Sequence, residues 1–270
     1  MRAMAERGFS VRRMPGFTAV AFLVFALLYA PIAILATYSF NAGTSLAIWE
    51  GFSLRWYAAA WANADVQAAT FRSLGIATVA ATVSSILATM AAIATTRTEP
   101  FRGQSAVLAM INLPLMAPEI VTAIALLIFF ALIKIATGYA GLGYIVLAHT
   151  AFCIPFAFLP IRGRLEDMDR SLETAAADLY ATPWRAFRWV TLPLLWPGIL
   201  AGFMLAFVIS LDDVVITNLI AGPGQETLPI YMLAALRRTV TPEINAVSTA
   251  LLAVSVLMVS LSFLLSREKE

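Results

Sequence analysis

Charge, sulfur and imidazole are scarce in this chain. Of its 270 residues 13% are charged and 61% hydrophobic, with a mean hydropathy of +0.84. A soluble domain carries roughly a quarter charged residues, so the composition is that of a polytopic membrane protein. The one cysteine, Cys153, lies inside an apolar run, which excludes a disulfide framework and a cysteine-based metal site. The one histidine, His149, cannot build a metal centre without unusual all-carboxylate help, and no metal is expected. Lysine occurs twice, as Lys134 in Ile-Lys-Ile and Lys269 in Glu-Lys-Glu. Neither belongs to the G-x-x-x-x-G-K-[ST] loop that cradles nucleotide phosphates. If ATP powers this protein, another subunit must bind it. Nucleic acid is not an expected partner.

Long apolar runs fill the rest. The first, 17–38, has about the 20 residues that a helix needs to cross a bilayer. It is longer than a signal-peptide core and lacks a convincing cleavage site, so it reads as an uncleaved helix, with Pro31 a point of disturbance. Residues 40–67 are mixed and aromatic (Trp49, Trp56, Tyr57, Trp61), as suits a loop against the membrane interface. The run from about 68 to 96 is dense in Ala, Ser and Thr, which let helices approach closely where lipid supplies no hydrophobic drive. A third span is expected over about 104–133, interrupted by Pro114 and Pro118. The fourth covers about 142–161, the fifth about 194–220 and the sixth about 244–265. The expectation is all-α with six transmembrane helices. Residues 1–16 form a cytoplasmic segment, 17–66 the first helix with an external loop, 67–265 the main transmembrane domain, and 266–270 a cytoplasmic tail.

Thirteen of the 18 Lys and Arg residues lie in the N-terminal segment, the 97–103 turn, the 162–197 loop and the tail. The positive-inside bias then makes both termini and that loop cytoplasmic, in a multi-pass protein of the cell membrane.

The 162–197 loop holds five arginines (162, 164, 170, 185, 188) and five acids (166, 167, 169, 173, 178) in otherwise oily surroundings. It reads as two short helices and a turn. Ser171 is an N-cap candidate with Glu173 in the first turn, and the helix is expected to reach about Tyr180. Thr182 followed by Pro183 is an N-cap and N1 signal for the second helix, and Pro193 is expected to end it. Trp184, Phe187 and Trp189 beside Arg185 and Arg188 make an aromatic, basic surface. On these features alone it is either a docking surface or a helix resting on lipid headgroups.

The segment ETAAADLYATPWRAFRWVTLPLLWPGI resembles the "EAA" loop, EAA-x3-G-x9-I-x-LP, of binding-protein-dependent ABC importer permeases. Thr174 stands at the motif's Glu, Ala175 and Ala176 at its two Ala, Tyr180 at its Gly, Val190 at its Ile, and Leu192-Pro193 at its LP. The series SLDD, GPG, TLP and PEINA resembles the C-terminal part of spermidine/putrescine permease subunits, and the likeness covers nearly the whole chain. It implies a type I importer permease fold of the MetI kind, in a bacterial inner membrane. The implied cargo is a polyamine or similar small cationic amine delivered by a periplasmic binding protein. The implied partners are a second, non-identical permease subunit and two copies of a cytoplasmic ATPase. ATP and Mg would be used by that ATPase, with no cofactor bound and no catalysis performed by this chain. The implied coupling loop comprises Glu173, Thr174, Ala175, Ala176, Asp178, Tyr180, Thr182, Pro183, Trp184, Phe187, Leu192 and Pro193. Glycine at the Tyr180 position would suit a left-handed helix end, where a Cβ costs about 1–2 kcal/mol, so a strained or reshaped turn is expected there.

Four intramembrane ionisable groups, Asp212, Asp213, Glu119 and His149, are candidates for the substrate pathway. Neighbouring Asp212 and Asp213 diverge by about 100° on a helix, so both cannot face one spot. They either line a cation path or hold a broken helix through internal bonds. Gly222, Pro223 and Gly224 read as an external loop or gate. Other small solutes (amino acid, opine, betaine, phosphonate, ferric ion) are the alternative cargo, and an ATP-independent carrier or channel is the alternative class. An intramembrane serine protease would need Ser105 with His149, but Ala106 stands where its motif expects glycine.

Overall fold

The computed structural model describes residues 16–45, 48–238 and 242–266, and apart from one isolated bridge its regular elements are helices. Six helices among these residues are long and apolar enough to cross a membrane: Phe17–Tyr38, Ala64–Thr96, Glu119–Thr137, Gly143–Asp167, Pro183–Asp212 and Pro242–Leu261. The six expected spans are there. The basic segment up to residue 15 and the charged tail from 267 lie outside the described residues.

The chain forms two compact units, one within 1–60 and 240–250, the other within 61–239 and 251–270. In the first, α1 (Phe17–Tyr38) runs unbroken through Pro31 and buries none of its side chains. The loop after it is built on the side chain of Asn41. Its amide nitrogen donates to the carbonyls of Ser45 (3.0 Å) and Ile48 (2.7 Å), and its oxygen accepts from the N–H groups of Gly43 (3.3 Å) and Glu50 (2.8 Å). Trp56 Nε1 donates to the Asn41 carbonyl, and Ser39 Oγ meets the Tyr57 hydroxyl at 2.7 Å. Buried polar backbone is thereby satisfied without regular structure. The helix α2 (Arg55–Ala62) follows.

The second unit is organised by α3 (Ala64–Thr96), α6 (Gly143–Asp167) and α9 (Leu192–Asp212), which pack on one another. Asn63 caps α3 by accepting from the N–H groups of Asp65 and Val66. Ala77, Ala81, Ala88 and Ala92 repeat at helical spacing along α3 and are fully buried against Phe158, Ile161 and Leu165 of α6 and Leu195 and Leu211 of α9. On α9, a Cβ at Gly202 would sit 2.7 Å from the Ala157 carbonyl of α6. Small residues set the helix spacing, as the composition of 68–96 suggested.

Two spans are broken. The expected 104–133 run is two helices, α4 (Gln104–Met116) and α5 (Glu119–Thr137). The break is at Pro118, which forces Ala117 into an extended conformation, while Pro114 is absorbed inside α4. The fifth run stops at Asp213 and resumes as α10 (Val215–Ile220). Two expectations in the loop are corrected. Pro193 does not end a helix: α8 (Pro183–Ala186) passes through a π-helical turn (Phe187–Thr191) into α9 as one continuous run. The wider turn carries the preceding carbonyls away from the proline ring, which an α-helix would bring into collision. Ser171 is not the N-cap of α7 (Ser171–Asp178) but its first residue. Its N–H and hydroxyl both donate to Asp169, at 2.9 and 2.6 Å. The helices α11 (Leu228–Arg238) and α12 (Pro242–Ser266) complete the order.

Candidate functional site

The two helix breaks meet. The short α10 packs on α5, and Phe130 of α5 stacks on Tyr144 of α6 at 4.8 Å beside Ala123, Ala148, Phe152 and Ile216. Glu119, the first residue of α5, comes within interaction reach of the Asp213 carboxyl. Asp213 is buried and acts as the cap of α10. Its Oδ1 accepts from the Ile216 N–H (3.3 Å), and its Oδ2 from the Thr217 N–H (2.9 Å) and hydroxyl (2.7 Å). These are the donors that a helix start leaves unpaired, and a carboxylate complements the positive helix end.

His149 of α6 enters the same cluster. Nδ1 lies 2.7 Å from Ser210 Oγ, and Nε2 lies 2.9 Å from Thr217 Oγ1 and 3.3 Å from Asp213 Oδ2. Both ring nitrogens are therefore engaged within the helix bundle, and His149 is not the partner of Ser105. Asp212, one residue earlier, is exposed, as is Glu119. Of the four intramembrane candidates, Asp213 and His149 bond each other, Glu119 stands at their edge, and Asp212 faces away. Ser210 and Thr217 were not among the sequence candidates. Ser210, Asp213 and Thr217 fall at i, i+3 and i+7, the spacing of one helix face, but the helix breaks between them, so that spacing alone did not group them.

Gly222, Pro223 and Gly224 form a type II turn beyond α10, with Gln225 N–H donating to the Gly222 carbonyl at 3.1 Å and Gly224 at φ +74°. Arg72 donates to the Glu226 carbonyl, and Ser73 Oγ accepts from the Leu228 N–H at 2.7 Å, tying this loop to α3. A cavity of about 210 Å³ lies against the turn, lined by Phe130, Lys134, Tyr144, Ile220, Gly222 and Gln225 among others.

The loop residues gather on α7, α8 and the π turn. Thr174, Ala175, Asp178, Tyr180, Thr182, Pro183, Trp184 and Pro193 are exposed, while Ala176, Phe187 and Leu192 are partly covered. Thr182 Oγ1 accepts from the Arg185 N–H, giving the expected cap. The helix α7 ends in a Schellman motif, with Tyr180 N–H donating to Ala177 O and Ala181 N–H to Ala176 O. Tyr180 occupies its left-handed position at φ +60° with its side chain 94% exposed. Glu173 turns inward. It pairs with Arg97 at the end of α3 (3.1 Å) and accepts from the Thr191 hydroxyl of the π turn (2.8 Å). Arg170 adds a bond to the Thr96 carbonyl, and Arg97 reaches the Met168 carbonyl. Neither Arg97 nor Thr191 was singled out from sequence.

A family model described as "Binding-protein-dependent transport system inner membrane component" matches residues 84–267. The chain is 41% identical over 245 residues to the putrescine transport system permease protein PotI of Escherichia coli K12, covering 90% of this chain and 87% of that one. It is 39% identical over 250 residues to the spermidine/putrescine transport system permease protein PotC of Haemophilus influenzae, covering 93% and 96%. Among solved structures it resembles a chain of a bacterial ABC transporter involved in alginate import (TM-score 0.69, 15% identity, 93% of both chains). It also resembles a chain of the inward-facing MetNI methionine ABC transporter (TM-score 0.61, 17% identity, 74% of this chain and 93% of that one).

Proposed function

The chain belongs to the family of binding-protein-dependent transport system inner membrane components, and on that premise we propose that it lines half of the path by which a small polyamine crosses the membrane. It is a multi-pass permease subunit of an ABC importer, and in this family the ATPase is a separate protein. In the proposed assembly it pairs with a second, non-identical permease and two copies of a cytoplasmic ATPase, which uses ATP and Mg. A periplasmic binding protein delivers putrescine or a similar diamine. Both termini and the 162–193 loop face the cytoplasm. The exposed α7–α8 surface, with Leu179, Tyr180, Trp184 and Trp189 uncovered, is the coupling element that meets the ATPase. Gly222, Pro223 and Gly224 belong to the external gate.

One observation carries the cation path: exposed carboxylates stand where two spans break side by side. The last carbonyls of α9 give that helix end a partial negative charge. Asp212 sits on it, and Glu119, at the start of α5, comes within reach of the neighbouring Asp213. An ammonium group passing there meets fixed negative charge, while a carboxylate facing lipid would cost at least roughly 2.5–3.5 kcal/mol. Identity to two polyamine permeases over about nine-tenths of the chain supports the substrate class. The reconstituted complex in proteoliposomes tests the reading. Replacing Asp212 by Asn is expected to leave assembly and basal ATP hydrolysis intact and to reduce putrescine uptake about tenfold, near 1.4 kcal/mol of lost stabilisation. Wild-type uptake by that variant removes Asp212 from the path.

A further inference from the structure

His149 spans the break in the fifth transmembrane run. The imidazole comes from α6, yet one nitrogen meets Ser210 in the last turn of α9 and the other meets Thr217 in α10. The ring is 1% exposed, and the Asp213 carboxylate beside it is also buried. The hydrogen bonds order the protons. The Thr217 hydroxyl gives its hydrogen to Asp213 Oδ2 at 2.7 Å, so its oxygen accepts from His149, and Nε2 carries a hydrogen. Nδ1 is then free to take the Ser210 hydroxyl hydrogen when the ring is neutral. Each polar atom of the ring and of Asp213 has a partner, the condition under which a buried polar cluster holds a single geometry.

A helix break ordinarily leaves carbonyls on one side and N–H groups on the other unpaired, free to swing. Here Asp213 satisfies the Ile216 and Thr217 N–H groups of α10, and His149 links both pieces to a third helix. The direction of the residue at the hinge follows from that linkage. Asp212 is about 100° from Asp213 around the axis, so holding Asp213 inward turns Asp212 outward, where it is exposed.

We propose that His149 is a positioning residue for cargo transfer: it clamps α9 to α10 so that Asp212, and not Asp213, presents its carboxylate to the passing amine. The proposal rests on the amine-path reading above and assigns different work to the two adjacent aspartates. Asp213 caps and anchors, and Asp212 meets cargo.

The full complex, reconstituted with its ATPase, partner permease and binding protein, provides the test, read as putrescine taken up per ATP hydrolysed. Loss of fold lowers uptake and ATP hydrolysis together, whereas misdirection of Asp212 lowers their ratio. The variant His149→Phe keeps the ring volume and removes both bonds. It is expected to lower the ratio about tenfold with basal hydrolysis unchanged, and His149→Gln, whose amide can serve both hydroxyls, to recover part of it. Combined with Asp212→Asn it is expected to lower the ratio no further than either change alone, as for residues acting as one unit. A wild-type ratio in His149→Phe, or multiplying losses in the double variant, overturns the clamp. If His149→Phe fails to assemble, Ser210→Ala and Thr217→Val each remove one tether, with an expected loss of about threefold; no loss in either overturns the proposal. Failure of the underlying path reading looks different, because Asp212→Asn alone then transports normally. A geometric readout separates the two further. With Cys153→Ala removing the native thiol, Asp212→Cys is expected to react with a water-soluble maleimide, and more slowly once His149→Phe is added. An unchanged rate overturns the clamp whatever Asp212 does in transport.

Discussion

Tyr180 is the one non-glycine residue with positive φ among the described residues, at +60°. A Cβ in that conformation crowds the following carbonyl and costs about 1–2 kcal/mol. Both bonds of the Schellman motif form around it nonetheless. The tyrosine ring offsets none of the strain within this chain, since it is 94% exposed. We therefore expect Tyr180→Gly to keep the turn, raise the thermal stability of the loop slightly, and preserve ATP hydrolysis that responds to cargo-loaded binding protein. If the variant folds but hydrolysis ignores the binding protein, the ring itself is a coupling contact. Asp169, fully exposed, caps the same short helix from its other end. Its hydrogen bonds from the hydroxyl and N–H of Ser171 hold its carboxyl below the usual aspartate range. A carboxyl lowered in this way contributes stability above its unfolded value, about 3.9 for Asp, and loses it only as pH falls through the lowered one. The cap is thus intact throughout the neutral range, and the α7 amide-exchange protection of the wild type is expected to be flat there. Asp169→Ala is expected to fray α7 at every neutral pH, read by faster exchange at Leu172 and Glu173.

Among elements, the short α7 depends on a neighbour it does not touch in sequence. Glu173 joins the end of α3, through Arg97, to the π turn, through Thr191, so a push on α7 reaches two membrane-crossing helices. Charged hydrogen bonds of this kind are worth about 1.5–3 kcal/mol each when one partner is removed. Arg97→Ala and Thr191→Val are both expected to leave ATP hydrolysis in place and lower uptake per ATP, with Arg97→Ala the more severe. Equal uptake per ATP in all three proteins would remove this linkage from the coupling path. Most element boundaries were legible from local chemistry: Thr182-Pro183 as a helix start, Pro118 as a break, Ala-rich 68–96 as a buried face. Pro193 was misread because a proline need not end a helix, as Pro31 and Pro114 also show, and a π turn leaves no trace in residue type. The break at Asp213 was equally hidden. No glycine or proline stands at 213–214, and the imidazole that ties the two sides together, His149, comes from 64 positions away.

For the molecule as a whole, legibility followed the distance between partners. Six spans could be counted because hydrophobic length is a property of each segment alone, whereas the cluster of His149, Ser210, Asp213 and Thr217 exists only after α6 and α9 have packed. That packing rests on two glycines. A Cβ at Gly198 would lie 2.6 Å from Arg164 Cβ, and one at Gly202 would lie 2.7 Å from the Ala157 carbonyl oxygen. Both obstacles are held by the α6 backbone: rotation of the Arg164 side chain moves Cγ and beyond but not Cβ, and the Ala157 carbonyl lies in the middle of the helix. The same methyl group at Gly75 of α3 meets nothing within 4 Å. Three alanine substitutions that look alike in sequence should therefore separate. Gly75→Ala is expected to be neutral or to stabilise by up to about 1 kcal/mol, through helix propensity. Gly198→Ala and Gly202→Ala are each expected to cost about 1–3 kcal/mol by forcing α6 and α9 apart. Thermal unfolding of the purified complex in detergent separates Gly75→Ala from the other two. Because the His149 clamp is carried on the two helices that Gly202 separates, Gly202→Ala should also lower putrescine uptake per ATP, and Gly75→Ala should not. Equal stability for Gly202→Ala and Gly75→Ala would show that the helix spacing is set elsewhere.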